Sequence, residues 1–360
     1  MKKYRVNRRV IFYPLAILFY ANFSAEAEPM INAVNGSVNH GSTVTLNGVD
    51  FGNKPNAQPV LWDMVENIAS YASLTDGDTI PVGGEHPWPS PYGNSSGNNR
   101  VKMERSVSEQ RGISSASYKA VDQKRAYLDG LRWDHTDALY ISWWWKQDRE
   151  LGEPNHSSKW LRVSDDTDET GKTFSFTQQQ AYVYAGDTYC ANDWEGFDGN
   201  AGNWTFIEAF FDNANKTFTI RIDGEYLFEQ VSWDPCTSFQ FNEIWKLGFD
   251  GGGTSPPEIT WWMDDIYVDN TFARVMLGNA STYAESSHFE MQNPISWANN
   301  SINIELNSGS FSNNTTAYIY VIDNTGDVNP NGFPVTVSTD IEPANAAPRP
   351  PRNIAIESNS

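Results

Sequence analysis

The sequence is short of several things. Only two of its 360 residues are cysteine, Cys190 and Cys236. Its five histidines are scattered, without the Cys/His spacing of a zinc site. Positive charge is scarce, with 25 Lys and Arg against 45 Asp and Glu and a formal net charge of -20. A field of that sign repels polyanions, so no nucleic-acid partner is expected. Outside the N-terminus there is no apolar run of about 20 residues, which argues against an internal membrane span. Helical periodicity is missing too, since no long segment repeats apolar residues at i, i+3, i+4 and i+7.

The N-terminus reads as a signal peptide over residues 1–27. Lys2, Lys3, Arg5, Arg8 and Arg9 form a basic start, Val10 to Phe23 an apolar run, and Ala25-Glu26-Ala27 a cleavage site. Cleavage would remove those five positive charges and the negative Glu26, taking the formal charge from -20 to -24. A secreted or cell-surface location in a bacterium follows. Export places the cysteines in an oxidising compartment, where a Cys190–Cys236 disulfide is expected.

Short runs of aromatic and β-branched residues recur, broken by Gly, Asn, Asp and Pro. Strands are expected at Thr43–Leu46, Ala138–Lys146, Thr173–Thr177, Ala181–Tyr184, Trp204–Phe211, Thr217–Ile222, Glu243–Phe249, Ile259–Val268, Ser301–Leu306 and Thr316–Ile322. Asp212-Asn213-Ala214-Asn215 and Asp223-Gly224 read as hairpin turns. Many strands at this spacing mean an all-β sandwich. Composition divides the mature chain into 29–62, an aromatic-rich core at 63–281, a second set of short strands at 282–338, and a Pro-rich linker or tail at 339–360.

Two resemblances refine this. Pro29 to Val34, followed by Gly41 to Gly52 with Gly48, Phe51 and Gly52 as G-x-x-F-G, resembles the opening of an IPT/TIG domain, which is immunoglobulin-like. The runs Ser301 to Leu306, Ala317 to Asp323 and Gly332 to Val337 look like later strands of the same module. Either the long core is inserted into a split Ig-like domain, or two small modules flank it. The core itself resembles the concanavalin A-like lectin/glucanase superfamily, including laminin G-like modules and polysaccharide lyases. The matching runs are Leu139 to Trp145, Trp204 to Phe211 with Thr217 to Gly224, and Trp262 to Val268. This resemblance implies a jelly-roll sandwich, and it leaves function open between lectin, hydrolase, lyase and adhesion module.

The paired carboxylates of a jelly-roll glucanase, E-x-D-x-x-E on one strand, are missing, and Glu208 stands alone in its strand. A lyase instead needs a group to neutralise a uronate and a Tyr, His or Lys to take its C5 proton. Lys159, Arg162, Gln178, Gln180, Tyr182 and Tyr184, with Arg221 and Lys246 on other strands, are of that kind, with His156 the nearest histidine, and they suit a sugar-binding groove equally. The expected glycan-binding set is Arg162, Lys159, Tyr182, Tyr184, Glu208 and Trp145. In a regular strand Lys159 and Arg162 point to opposite faces, so both line one groove only if a bulge intervenes. Asp165, Asp166 and Asp168, and the pair Asp264-Asp265 with Asp269 and Asn270, are the oxygen-rich positions for calcium, the one cofactor expected. The function expected is recognition of a polysaccharide or surface glycan, or surface adhesion. Cleavage of an acidic polysaccharide by a lyase and a purely structural surface role are the alternatives.

Overall fold

The computed structural model describes residues 27–81, 86–92 (backbone only at 90–92), 103–152, 158–165, 172–186, 188–234, 240–252 and 257–338. All but the last residue of the expected signal peptide, the tail 339–360, His156, Asp166, Asp168 and Cys236 lie outside them. The architecture is all-β, an antiparallel sandwich of the jelly-roll class carrying a smaller sandwich. Among the described residues the only helical turns are two 3-10 turns, and no helix is long and apolar enough to cross a membrane.

The large sandwich has two eight-stranded sheets. Its front sheet runs through Thr188–Asp193, Ala181–Ala185, Thr173–Thr177, Lys159–Ser164, Glu243–Asp250, Arg125–Asp129 and Ser90–Tyr92, with Leu131–Arg132 also on Glu243–Asp250. Its back sheet runs through Glu225–Ser232, Thr217–Ile222, Thr205–Asp212, Ala138–Gln147, Ile259–Asp269, Ser117–Gln123 and Glu104–Ser106, with Leu61–Asp63 also on Ile259–Asp269. Side-chain alternation decides which face each residue takes. In Thr173–Thr177 the two phenylalanines, Phe174 and Phe176, enter the core, while Thr173, Ser175 and Thr177 face out. Trp143, Trp145, Trp160, Trp233 and Trp261 fill the space between the sheets. Burial of a Phe-sized side chain stabilises by roughly 1.5–3 kcal/mol, so these indoles anchor the fold. At the hairpin between Thr217–Ile222 and Glu225–Ser232, Asp223 and Gly224 both have positive φ (50° and 87°), the backbone of a tight two-residue turn.

The small sandwich has two four-stranded sheets. One holds Met30–Asn35, Thr43–Val49, Ser301–Glu305 and Asn293–Ala298, in that order. The pairing of Thr43 with Glu305 through Asn47 with Ser301 joins the two distant ends of the described chain. The other sheet holds Phe289–Met291, Arg274–Gly278, Thr315–Ile322 and Phe333–Val337. Val44, Leu46, Phe51, Leu277, Ile304 and Val321 are among the residues of their shared core. The composition boundary at 281/282 therefore falls late, because Arg274–Gly278 already pairs within the small sandwich.

The small sandwich covers the outer face of the back sheet. Tyr140, Trp144, Phe206 and Tyr267 from that sheet pack against Met276, Phe289, Met291 and Tyr320. Buried charges cross the same junction. Arg111 Nη1 and Nη2 donate to the two Glu290 oxygens at 2.6 Å each, and Arg111 also contacts Asp265. Gly309, at φ 49°, lets the backbone close over Glu290, where any Cβ would fall inside the carboxyl group.

Candidate functional site

The outer face of the front sheet is built around the strand Lys159–Ser164. Its pairing with both neighbours slips between Lys159 and Leu161, which is a β-bulge. Consecutive Trp160 and Leu161 thereby both enter the core. The flanking Lys159 and Arg162 are both brought to the outer face, where each is half-buried. A second slip, between Arg162 and Val163 against Glu243–Asp250, brings both Trp245 and Lys246 to that face.

Arg162 is held on two sides. Its Nε donates to Ser175 Oγ at 3.0 Å and its guanidinium lies 4.3 Å from the centre of the Trp245 ring, while Lys246, a like charge, is its cross-strand neighbour. On the other side of Ser175 in the ladder stands Tyr182. Tyr182 and Tyr184 share the outer face of Ala181–Ala185, and each meets the exposed Tyr189 ring edge-on, at 5.5 and 5.2 Å. Trp194, 63% exposed, follows directly after the edge strand.

The electrostatics are crowded with cations. Asp250 accepts from Lys246 Nζ at 2.6 Å and lies 3.3 Å from Arg125 Nε. Lys246 also sits 4.6 Å from the centre of the Tyr127 ring. Burial pushes Lys159 down to about 8; Asp250 opposes the shift, and Arg162, Lys246 and Arg125 reinforce it. Farther along, Glu243 accepts from Arg132 Nε and from Ser164 Oγ, both at 2.8 Å. Burial, with the neighbouring Glu243, pushes Asp129 up to about 7, against the pull of Lys246 and Arg132. Near neutrality, among the described residues at the centre of this face, Lys159, Arg162, Lys246, Arg125 and Arg132 thus outnumber Asp250, Glu243 and a half-ionised Asp129. A chain of net charge -20 carries a locally cationic, aromatic face.

Four expected site residues lie elsewhere. Glu208 is on the back sheet, fully buried, and accepts from Tyr140 OH at 2.8 Å between Arg221 and Arg274. It cannot line the front face, because the small sandwich covers the side of the sheet it faces. Trp145 points between the sheets and stacks on Trp261, with ring centres 5.1 Å apart. Asp269 is committed to Lys54, to Tyr267 OH at 2.8 Å and to the backbone of Thr271. Asp264 is fully buried and held well above the carboxylate range by burial and by Glu66, which favours its neutral form. Asp264 and Asp269 therefore offer calcium no shared set of charged oxygens, and among the described residues no group of three or more His, Cys, Asp or Glu is placed to hold a metal.

Two further candidates serve the scaffold. Gln178 Nε2 donates to Gly152 O and Asp198 Oδ1, and Asp165 is buried beside His135. Sequence reasoning missed Tyr189, Tyr127, Arg125 and Asp250, and offered Trp245 only as one of many tryptophans. Alternation along Arg125–Asp129 could have found Arg125 and Tyr127, whereas Trp245 depends on a bulge. Cys190 is buried, and its expected partner Cys236 lies outside the described residues.

No protein-family model matches the chain. No curated protein matches it either. Solved structures similar to parts of it include the cellulose-induced protein Cip1, at 15% identity over 49% of this chain and 89% of that one, with a TM-score of 0.35. Domain 4 of AbnA, a GH43 extracellular arabinanase from Geobacillus stearothermophilus in complex with arabinotriose, is similar at 13% identity over 50% of this chain and 84% of that one, TM-score 0.31. The alginate lyase AlyC3 is similar at 9% identity over 50% of this chain and 88% of that one, TM-score 0.32.

Proposed function

We propose that this is an exported glycan-recognition protein whose front-sheet face binds an acidic polysaccharide. The observation that carries the reading is the bulge between Lys159 and Leu161, which turns two cations outward from one strand. Beside them lie Lys246, Arg125 and the exposed ring of Trp245. A planar guanidinium fork suits a carboxylate or a sugar diol, and flat aromatic surfaces suit the apolar faces of sugar rings. The cation excess selects uronate-bearing chains over neutral ones despite the protein's overall negative field.

The test is affinity electrophoresis through gels cast with alginate, polygalacturonate or neutral laminarin. Retardation by the acidic polymers that weakens with salt supports the reading. Equal mobility in all three gels would overturn it.

The lowered Lys159 ammonium favours a second reading, a polysaccharide lyase. A neutral amine at that position could take the C5 proton of a uronate as the C4–O bond breaks, leaving a C4=C5 double bond while the departing glycosidic oxygen takes up a proton. Absorbance growing near 235 nm during incubation with these polymers distinguishes cleavage from binding.

A further inference from the structure

We propose that the cleft where the small sandwich meets the back sheet is a second binding site, taking a single acidic sugar residue through its carboxylate. The cleft has a volume of about 400 Å³. It lies on the sheet opposite the cationic front face, so its argument is independent of that reading.

Its floor carries two guanidinium groups around one carboxylate. Arg221 and Arg274, 6% and 3% exposed, converge on one carboxylate, Glu208, at 3.5 and 3.9 Å. Tyr283 OH accepts from Arg221 Nη1 at 2.9 Å and from Arg274 Nη2 at 3.3 Å. A neutral phenol oxygen thus stands where a second anion would stand. The other carboxylates lining the cleft, Asp212 and Glu229, form no ion pair with either arginine among the described residues. Arg274 Nε is buried without a hydrogen-bond partner. Arg221 also donates to Gly224 O and Arg274 Nη1 to Phe272 O, so the unmet donor is Arg274 Nε, where two guanidinium groups share one carboxylate at the edge of an open cleft.

The surroundings set the class of ligand. Arg221 lies between the Tyr226 and Tyr283 rings, 5.3 and 5.2 Å from their centres. Tyr226 is 58% exposed and offers a flat wall beside the guanidinium. Thr219, Gln230 and Thr325 add polar groups along the rim. Charge at the floor, a ring face at the wall and polar groups at the rim match a hexuronic acid better than a bare inorganic anion. The cleft volume suits one or two sugar rings.

The experiment uses the full protein carrying Lys159→Ala and Arg162→Ala, which disables the front face. Sodium D-glucuronate and D-glucose are titrated calorimetrically at low salt. One-site binding of glucuronate at least tenfold tighter than glucose is expected, and Tyr226→Ala, which removes the ring wall, should weaken it up to about tenfold. Arg221→Lys keeps the charge, loses the fork and should weaken it similarly. If that variant does not fold, the exposed Tyr226→Ala still decides the matter. Equal affinity for the two sugars, or glucuronate binding unchanged by Tyr226→Ala, overturns the proposal.

Discussion

The Lys159 ammonium gives the front face a pH signature. In the unliganded protein it titrates at about 8, lowered by burial and by Arg162, Lys246 and Arg125 despite the opposing Asp250. A uronate carboxylate, ionised throughout the alkaline range, would bind the charged form. The charged fraction falls from about nine-tenths at pH 7 to about one-tenth at pH 9, so affinity should drop roughly tenfold across that window, or about 1.4 kcal/mol. Asp129 complicates the lower end, because it ionises near 7 and adds a negative charge to the same face. The Asp129→Asn background removes that contribution and leaves the lysine step. In that background Lys159→Arg should hold affinity constant from pH 7 to 9.5, and Lys159→Gln should hold it constant at a weaker level. Calorimetric titration of polygalacturonate oligomers at fixed ionic strength measures all three. A wild-type profile flat over this range, or an unchanged slope in Lys159→Gln, would refute the reasoning. Activity read at 235 nm that rises over the same interval would move the balance toward cleavage.

Arg162→Ala should weaken acidic-glycan binding by about 1.5–3 kcal/mol, tenfold or more, with the melting temperature little changed, because its partners are Ser175 and the face of Trp245. Arg111→Ala should cost about 3–5 kcal/mol of stability in denaturant titration, since it removes the ion partner of buried Asp265 and leaves buried Glu290 only His288 and Ser310. Burial pushes Glu290 up, but Arg111 and His288 outweigh it and hold it at about 2, so its stabilising contribution is complete above the ordinary 4.5 and is lost as pH falls toward 2. Wild-type protein should therefore lose stability steeply below pH 4.5, and Arg111→Ala, already destabilised, should show a shallower decline. Denatured, unreduced protein should show no free thiol if Cys190 and Cys236 are bonded, and a count of two refutes that pairing.

Much of the fold was legible because alternation is a local signal. Thr173–Thr177 and the hairpin turns at Asp212-Asn213-Ala214-Asn215 and Asp223-Gly224 declare themselves from side-chain type alone. The front face was legible in its residue types, and Tyr182 and Tyr184 share it as their spacing required. Which way Lys159 turns was not legible, because a bulge is a property of three strands paired together. Glu208 was ambiguous for a related reason. Flanked at i±2 by Phe206 and Phe210, a lone carboxylate reads more readily as a hydrogen-bonded structural group than as a ligand, and a second sandwich made from both ends of the described chain lies on that row. Trp145 was indistinguishable by composition from a surface indole, and only the opposing sheet shows it to be core.

The route of the chain through the small sandwich decides how the molecule would carry tension. Asn39 bridges to Ser338, and His40 N donates to Ser338 O at 3.1 Å, so the turn after the first described strand lies against the end of the last. The large sandwich leaves and re-enters the chain through segments that both emerge from the small one. A pull applied at residues 30 and 338 would load the Thr43–Val49 and Ser301–Glu305 pairing and its neighbours first. The strands bearing Lys159 and Arg162 would feel no force until that small body had come apart. A glycan held on the front face would stay gripped by an unstrained sheet while the mechanical work was done elsewhere.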